Sequence, residues 1–141
     1  MRYVLDSSVA FKWVVPEADS AKAQGLRQDY QNSVHQLVAS DIFPFEIAHA
    51  LTRAERQGRI TAGEALVLWL TVMADAPVLV PALPLTQRAI EISAQLRVGV
   101  YDCLYVALAE REACQLVTAD SKLAKNLQPT FPFIIELASL P

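Results

Sequence analysis

Short apolar runs alternate along the whole chain with stretches in which apolar residues recur every three or four positions. The runs near 2–5, 37–40, 78–83, 116–118 and 133–137 predict strands, and the periodic stretches between them predict helices. The segment from Glu17 to Tyr30 is polar and amphipathic. A helix over 42–57 has Asp41 as a plausible N-cap and Pro44 in its first turn, where proline is tolerated; its apolar stripe is Phe43, Ile47, Ala50, Leu51 and Ala54. Thr61 and Glu64 have capping-box spacing, which predicts a helix from there to about Met73. Pro77, Pro81 and Pro84 break helical structure, and further helices are predicted at 85–96, 101–113 and 121–127. No internal repeat, low-complexity tract or linker divides the chain, so one domain over 1–141 is expected. Alternating strands and helices of this kind argue for an α/β fold, a parallel sheet covered on both faces and joined by right-handed crossovers.

Four acids recur at comparable places in that pattern. Asp6 ends the run Tyr3-Val4-Leu5, Asp120 follows Leu116-Val117-Thr118, Asp102 opens a helix that is apolar nearly all round, and Glu46 sits in the first turns of the helix over 42–57. Glu46 lies about 60° from Phe43 at 100° per residue, which turns it toward the rim of the sheet. Ligands of open parallel sheets bind beyond the carboxyl ends of the strands, so residues at such junctions converge. Taken singly, each Asp also fits an N-cap or a carboxylate favoured by the helix dipole. Together, several carboxylates in one crevice repel and raise one another's pKa unless a cation neutralises them. Oxygen-only ligation favours Mg²⁺ or Mn²⁺ over zinc. Such ions polarise phosphoryl oxygens, generate hydroxide from water and stabilise the leaving oxygen, which points to phosphodiester hydrolysis.

The net charge of −3 and pI of about 5.3 exclude a globally basic nucleic-acid binder, so any nucleic-acid contact has to come from a local patch. No run approaches the roughly 18 apolar residues of a membrane span, and the apolar part of the amino terminus is too short for a secretory signal. Cys103 and Cys114, placed on one predicted helix roughly 16 Å apart, cannot bridge each other. With no Cys-x-x-Cys pair and only His35 and His49 as imidazoles, a zinc set is not expected and the cytoplasm is the expected compartment.

At the four acids the sequence resembles the PIN-domain ribonucleases, in particular the VapC-type toxins. The matching segments are Val4-Leu5-Asp6-Ser7-Ser8-Val9-Ala10 leading into Lys12-Trp13, Pro44-Phe45-Glu46-Ile47, Tyr101-Asp102-Cys103-Leu104-Tyr105-Val106-Ala107-Leu108-Ala109, and Leu116-Val117-Thr118-Ala119-Asp120. The resemblance implies a three-layer α/β/α fold with strand order 3-2-1-4-5, Mg²⁺- or Mn²⁺-dependent endoribonuclease activity on RNA, a homodimer and an antitoxin partner. It makes Asp6, Glu46, Asp102 and Asp120 the catalytic acids, with Asp6, Asp102 and Asp120 on the metal. It makes Ser8 and Thr118 hydroxyls that hold the carboxylates or a water of the metal. Many members carry a further acid after the last one; here Ser121 and Lys122 follow, so the number of metals stays open.

Arg53 and Arg56, with Arg59, could form a phosphate-contacting stripe, Arg53 lying within about 20° of the face of Glu46, or a solvated helix end. Trp13 is expected in the core and His49 on the surface. The run Ala65-Leu66-Val67-Leu68-Trp69-Leu70 cannot turn one face to the core and another to water, so part of it should be covered by a second copy or by an antitoxin helix. Two other functions also place acids at strand ends or on such a scaffold. A receiver-like or haloacid-dehalogenase-like phosphotransfer domain needs a context such as Asp-x-Asp on the first strand, where Ser7 and Ser8 stand. A non-catalytic PIN-like scaffold has no use for a full acidic quartet.

Overall fold

The computed structural model describes residues 1–141. All five apolar runs form strands: β1 (Arg2–Leu5), β2 (Gln36–Ser40), β3 (Val78–Val80), β4 (Gln115–Thr118) and β5 (Ile134–Glu136). They pair in the order β3-β2-β1-β4-β5, every neighbour parallel. The helices are α1 (Ser7–Phe11), α2 (Ser20–Gln31), α3 (Phe43–Arg56), α4 (Glu64–Ala74), α5 (Thr86–Leu96), α6 (Val100–Glu112) and α7 (Ser121–Leu127), and they flank the sheet. Tyr3, Val4 and Leu5 of β1 are all buried, as a central parallel strand covered on both faces requires. Cys103 to Ala109 of α6 are buried without interruption, so this helix belongs wholly to the core.

Several local expectations are corrected. Asp41 does not cap α3; the N-cap is Ile42, and the Asp41 carboxylate instead accepts the Ala82 backbone N–H at 3.0 Å, beside the β2–β3 edge. The capping box is half made: Glu64 accepts the Thr61 N–H at 3.0 Å, but the helix begins at Glu64 after Gly63, whose φ of 85° is one glycine tolerates. Pro81 stops β3 at Val80, short of the expected 83. Cys114 lies just beyond α6, past Ala113 in the left-handed region, and both cysteines are free. Helix α1 has no counterpart among the expected elements. Pro44 does occupy the first turn of α3, and Trp13 is buried with its Nε1–H donating to the Ala23 carbonyl at 3.0 Å. No helix is long and apolar enough to cross a membrane.

Candidate active site

Parallel strands put all their carboxyl ends on one edge, and the four acids reach that edge by three routes. Asp6 fills the single position between β1 and α1, and its N–H still pairs with the Val117 carbonyl at 3.1 Å, extending the β1–β4 ladder. Asp120 is the N-cap of α7, separated from β4 by Ala119 alone. Glu46 and Asp102 stand in the first turns of α3 and α6. All four line one cavity of about 850 Å³, together with Ser7, Ser8, Lys12, Glu17, Phe45, His49 and Tyr101 among others. His49 is exposed, as expected, on the wall of that cavity.

Asp6 is only 5% exposed and is held by a hydroxyl cradle. Ser8 Oγ and Thr118 Oγ1 each donate to its Oδ2 at 2.7 Å. The direction of both bonds is imposed from behind, because Ser8 Oγ accepts the Ala119 N–H at 3.0 Å and Thr118 Oγ1 accepts the Asp120 N–H at 3.1 Å. A hydroxyl has one proton, so with its lone pairs serving backbone donors that proton goes to the carboxylate. Burial raises the pKa of Asp6, with the charge of Asp120 adding to it, while the two hydroxyls pull it back.

Glu46 is held through one oxygen. Tyr105 donates its phenolic proton to Oε1 at 2.6 Å and Ser7 Oγ donates to the same atom at 3.2 Å. Burial is the largest influence raising the pKa of Glu46, the Asp6 charge adds to it, and the two donors oppose it. Tyr105 is itself pushed up by burial and by the charges of Glu46 and Asp6, so it stays a donor. Neither Ser7 nor Tyr105 stands out in the sequence as a site residue. The available signal is a tyrosine three residues after Asp102, on the same face of a helix otherwise packed with aliphatic and small side chains, where a buried hydroxyl demands a partner.

Asp102 has no such support. Its pKa is raised to about 7, first by burial and then by the charges of Asp6, Glu46 and Asp120, with no hydrogen bond to lower it. Asp120 is different again: its Oδ1 accepts the Leu123 N–H at 3.0 Å, so the N-cap explanation and a place at the cavity hold for the same residue. No three acidic, histidine or cysteine side chains close up into a ready-made ion cage.

One basic side chain enters the wall. Lys12 Nζ donates to the Ala18 carbonyl at 2.8 Å and pairs with Glu17 at 3.3 Å, and the other oxygen of Glu17 takes Arg59 at 2.5 Å. Arg59 also lies over the Phe11 ring at 5.7 Å. Arg59 is thereby committed to a staple between the α1–α2 and α3–α4 connections. Arg53 and Arg56, in the last turns of α3, are exposed and form no ion pair; they lie beyond the side chains that line the cavity.

A parallel sheet in this order, with carboxylates converging at its carboxyl edge from β1, β4 and two helix starts, defines a PIN domain. The PIN-domain family model matches residues 3–126, and the chain belongs to that family. Ribonuclease VapC9 of Mycobacterium tuberculosis is 34% identical over 131 residues, spanning 86% of this chain and 97% of that protein. Among solved structures the chain is similar to PAE2754 from Pyrobaculum aerophilum, with a TM-score of 0.70, 20% identity and coverage of 99% and 94% of the two chains. It is also similar to a chain of VapBC2 from Rickettsia felis, solved bound to a DNA fragment from their promoter, with a TM-score of 0.62, 17% identity and coverage of 96% and 97%. Within the family this is a VapC-type ribonuclease, of the toxin class of toxin–antitoxin systems.

Proposed function

We propose that this chain is a Mg²⁺- or Mn²⁺-dependent endoribonuclease that acts as one domain over residues 1–141 in the cytoplasm, with Asp6, Glu46, Asp102 and Asp120 as its catalytic acids. The supporting observation is Asp102: a half-buried carboxyl with three carboxylate neighbours and no hydrogen-bond donor, in a cavity whose one Lys is already paired. A carboxylate in that position is stabilised by a cation. The donor set fits a hard divalent ion, since it consists of carboxylate and hydroxyl oxygens. Asp6, Asp102 and Asp120 would hold it, and the bound ion supplies Lewis-acid polarisation of a phosphodiester.

The protein's own groups supply the rest. The cradle of Ser8 and Thr118 keeps Asp6 Oδ2 occupied by two hydroxyl donors. Glu46 is held at Oε1 by Tyr105 and Ser7, which leaves Oε2 to take a proton from the water that attacks phosphorus. Its raised pKa brings it closer to the operating pH of a general base. Capping by Asp120 Oδ1 fixes that side chain to the end of α7, so its position depends on the helix rather than on a free rotamer. Arg53 and Arg56, exposed and unpaired, supply phosphate contacts along the RNA. The purified chain should cleave single-stranded RNA in Mg²⁺ or Mn²⁺, and replacing both arginines by alanine should lower the salt slope of RNA binding by about one per arginine. A chain inert toward RNA with either ion overturns the proposal.

A homodimer and a cognate antitoxin follow as the proposed partners. Leu66, Val67 and Leu70 of α4 are exposed in the single chain, which is the apolar surface the sequence required something to cover. Light scattering should give twice 15.5 kDa, and a stable monomer at micromolar concentration rejects the dimer.

A further inference from the structure

Eleven aromatic residues occur in the chain. Nine are buried or half-buried; the two exposed ones are Phe45, at 74%, and Tyr101, at 61%. Both line the acidic cavity, and they come from different helices. Each directly precedes a catalytic acid, Phe45 before Glu46 and Tyr101 before Asp102. Successive residues of a helix diverge by about 100°, so a helix start that presents its acid to the cavity sets the preceding side chain at a different angle on the same rim. Leaving two rings in water forgoes burial of about 150–250 Å² each, a cost the rest of this sequence avoids.

We propose that Phe45 and Tyr101 are a base-stacking subsite, gripping unpaired bases on the nucleotides next to the phosphodiester held by the acids. The proposal rests on the nuclease function above and adds how the substrate is selected. A stacking ring accepts any base, but only one whose face is free, so the subsite takes single strands and loops and excludes paired helices. Charge favours this occupant: a cation held by the acids of the cavity floor would take the phosphate, while the rings at the rim offer no charge and take the bases. The exposed aliphatic side chains, by contrast, lie outside this cavity, on α4, where a protein partner is expected, and also at Val78, Leu79, Leu83 and Ile90.

The test uses the full chain carrying Glu46→Gln in Mg²⁺, so that bound RNA is not cut while Asp6, Asp102 and Asp120 stay in place to hold the ion, with Phe45→Leu or Tyr101→Leu added. Leucine keeps the apolar character of each position and removes the π face. The probes are a single-stranded RNA of about ten nucleotides, enough to span one such site, and the same ribose-phosphate backbone without bases. Each leucine variant should bind the RNA about tenfold or more weakly than its parent and bind the abasic backbone equally well. Equal affinity of parent and variants for the RNA overturns the subsite, as does an equal loss on both probes. A leucine variant that alters only self-association in light scattering assigns that ring to a protein interface instead. If the unmodified chain cuts RNA while the leucine variants bind normally, only this inference fails; if it neither binds nor cuts RNA, the nuclease function fails and the subsite falls with it.

Discussion

Asp102→Asn raises the melting temperature of the chelated protein at pH 8 while reducing RNA cleavage by on the order of 10²–10³ or more. Asp102 titrates at about 7 instead of its ordinary 3.8, through burial first and then the charges of Asp6, Glu46 and Asp120. Between those two values the folded protein holds a proton that the unfolded chain has lost, so stability falls as pH rises from about 4 to 7 and the penalty is complete above 7. Asparagine fills the same space with no charge to desolvate. Because the carboxyl is partly open to solvent, the gain is roughly 1–2 kcal/mol, or about 3–8 °C in a chain of this length. It shrinks steadily as the pH is lowered toward 4. Melts across that range, run beside cleavage assays, decide the matter. Parallel loss of fold and activity at pH 8 would show that the carboxylate is structural, and a melting temperature indifferent to residue 102 at every pH would show that its charge costs the fold nothing.

Divalent ions should act on the same balance from the other side. Chelation should abolish cleavage and leave the protein folded, since the 37-residue apolar core contains none of the four acids. Adding Mg²⁺ or Mn²⁺ at about a hundred times its dissociation constant should stabilise the fold by about 2.7 kcal/mol, because an ion that binds only the native state shifts unfolding by mass action. The thermal shift should disappear in Asp6→Asn and in Asp102→Asn. A full shift in both variants would place the ion elsewhere, and cleavage in excess chelator would mean chemistry without a metal.

The strands and the four acids are legible because their signals are local. Apolar runs such as Leu37-Val38-Ala39 read directly as buried parallel strands, and an Asp at the end of such a run has few other places to go. Helix α1 is invisible in the sequence because its five residues are too few to show a period; it is specified by the burial of Val9, Ala10 and Phe11 against the rest of the fold. Asp41 misleads for a related reason. A cap is the best local use for its carboxylate, but the β2–β3 edge brings the Ala82 N–H to it from 41 positions away. The Tyr105–Glu46 bond spans 59 positions and leaves no mark on either neighbourhood beyond a tyrosine among the apolar residues of α6. Contacts of that kind are products of the topology, and they appear only once the sheet order is known.

The hydroxyl cradle around Asp6 also bears on how the protein is made. Its halves are Ser8, near the amino terminus, and Thr118, 110 positions later, and the strand carrying Thr118 lies directly beside β1. Chains emerge from the ribosome at about 5–20 residues per second, amino terminus first. Until residue 115 is made, this protein therefore has at most Asp6, Glu46, Asp102 and β1–β2–β3, with no β4 to complete the edge. Assembly of the acidic cavity waits until β4 has been made, so an RNA-cutting chain is inert while the preceding hundred or so residues are being translated, and a copy terminated before that strand stays inert for good.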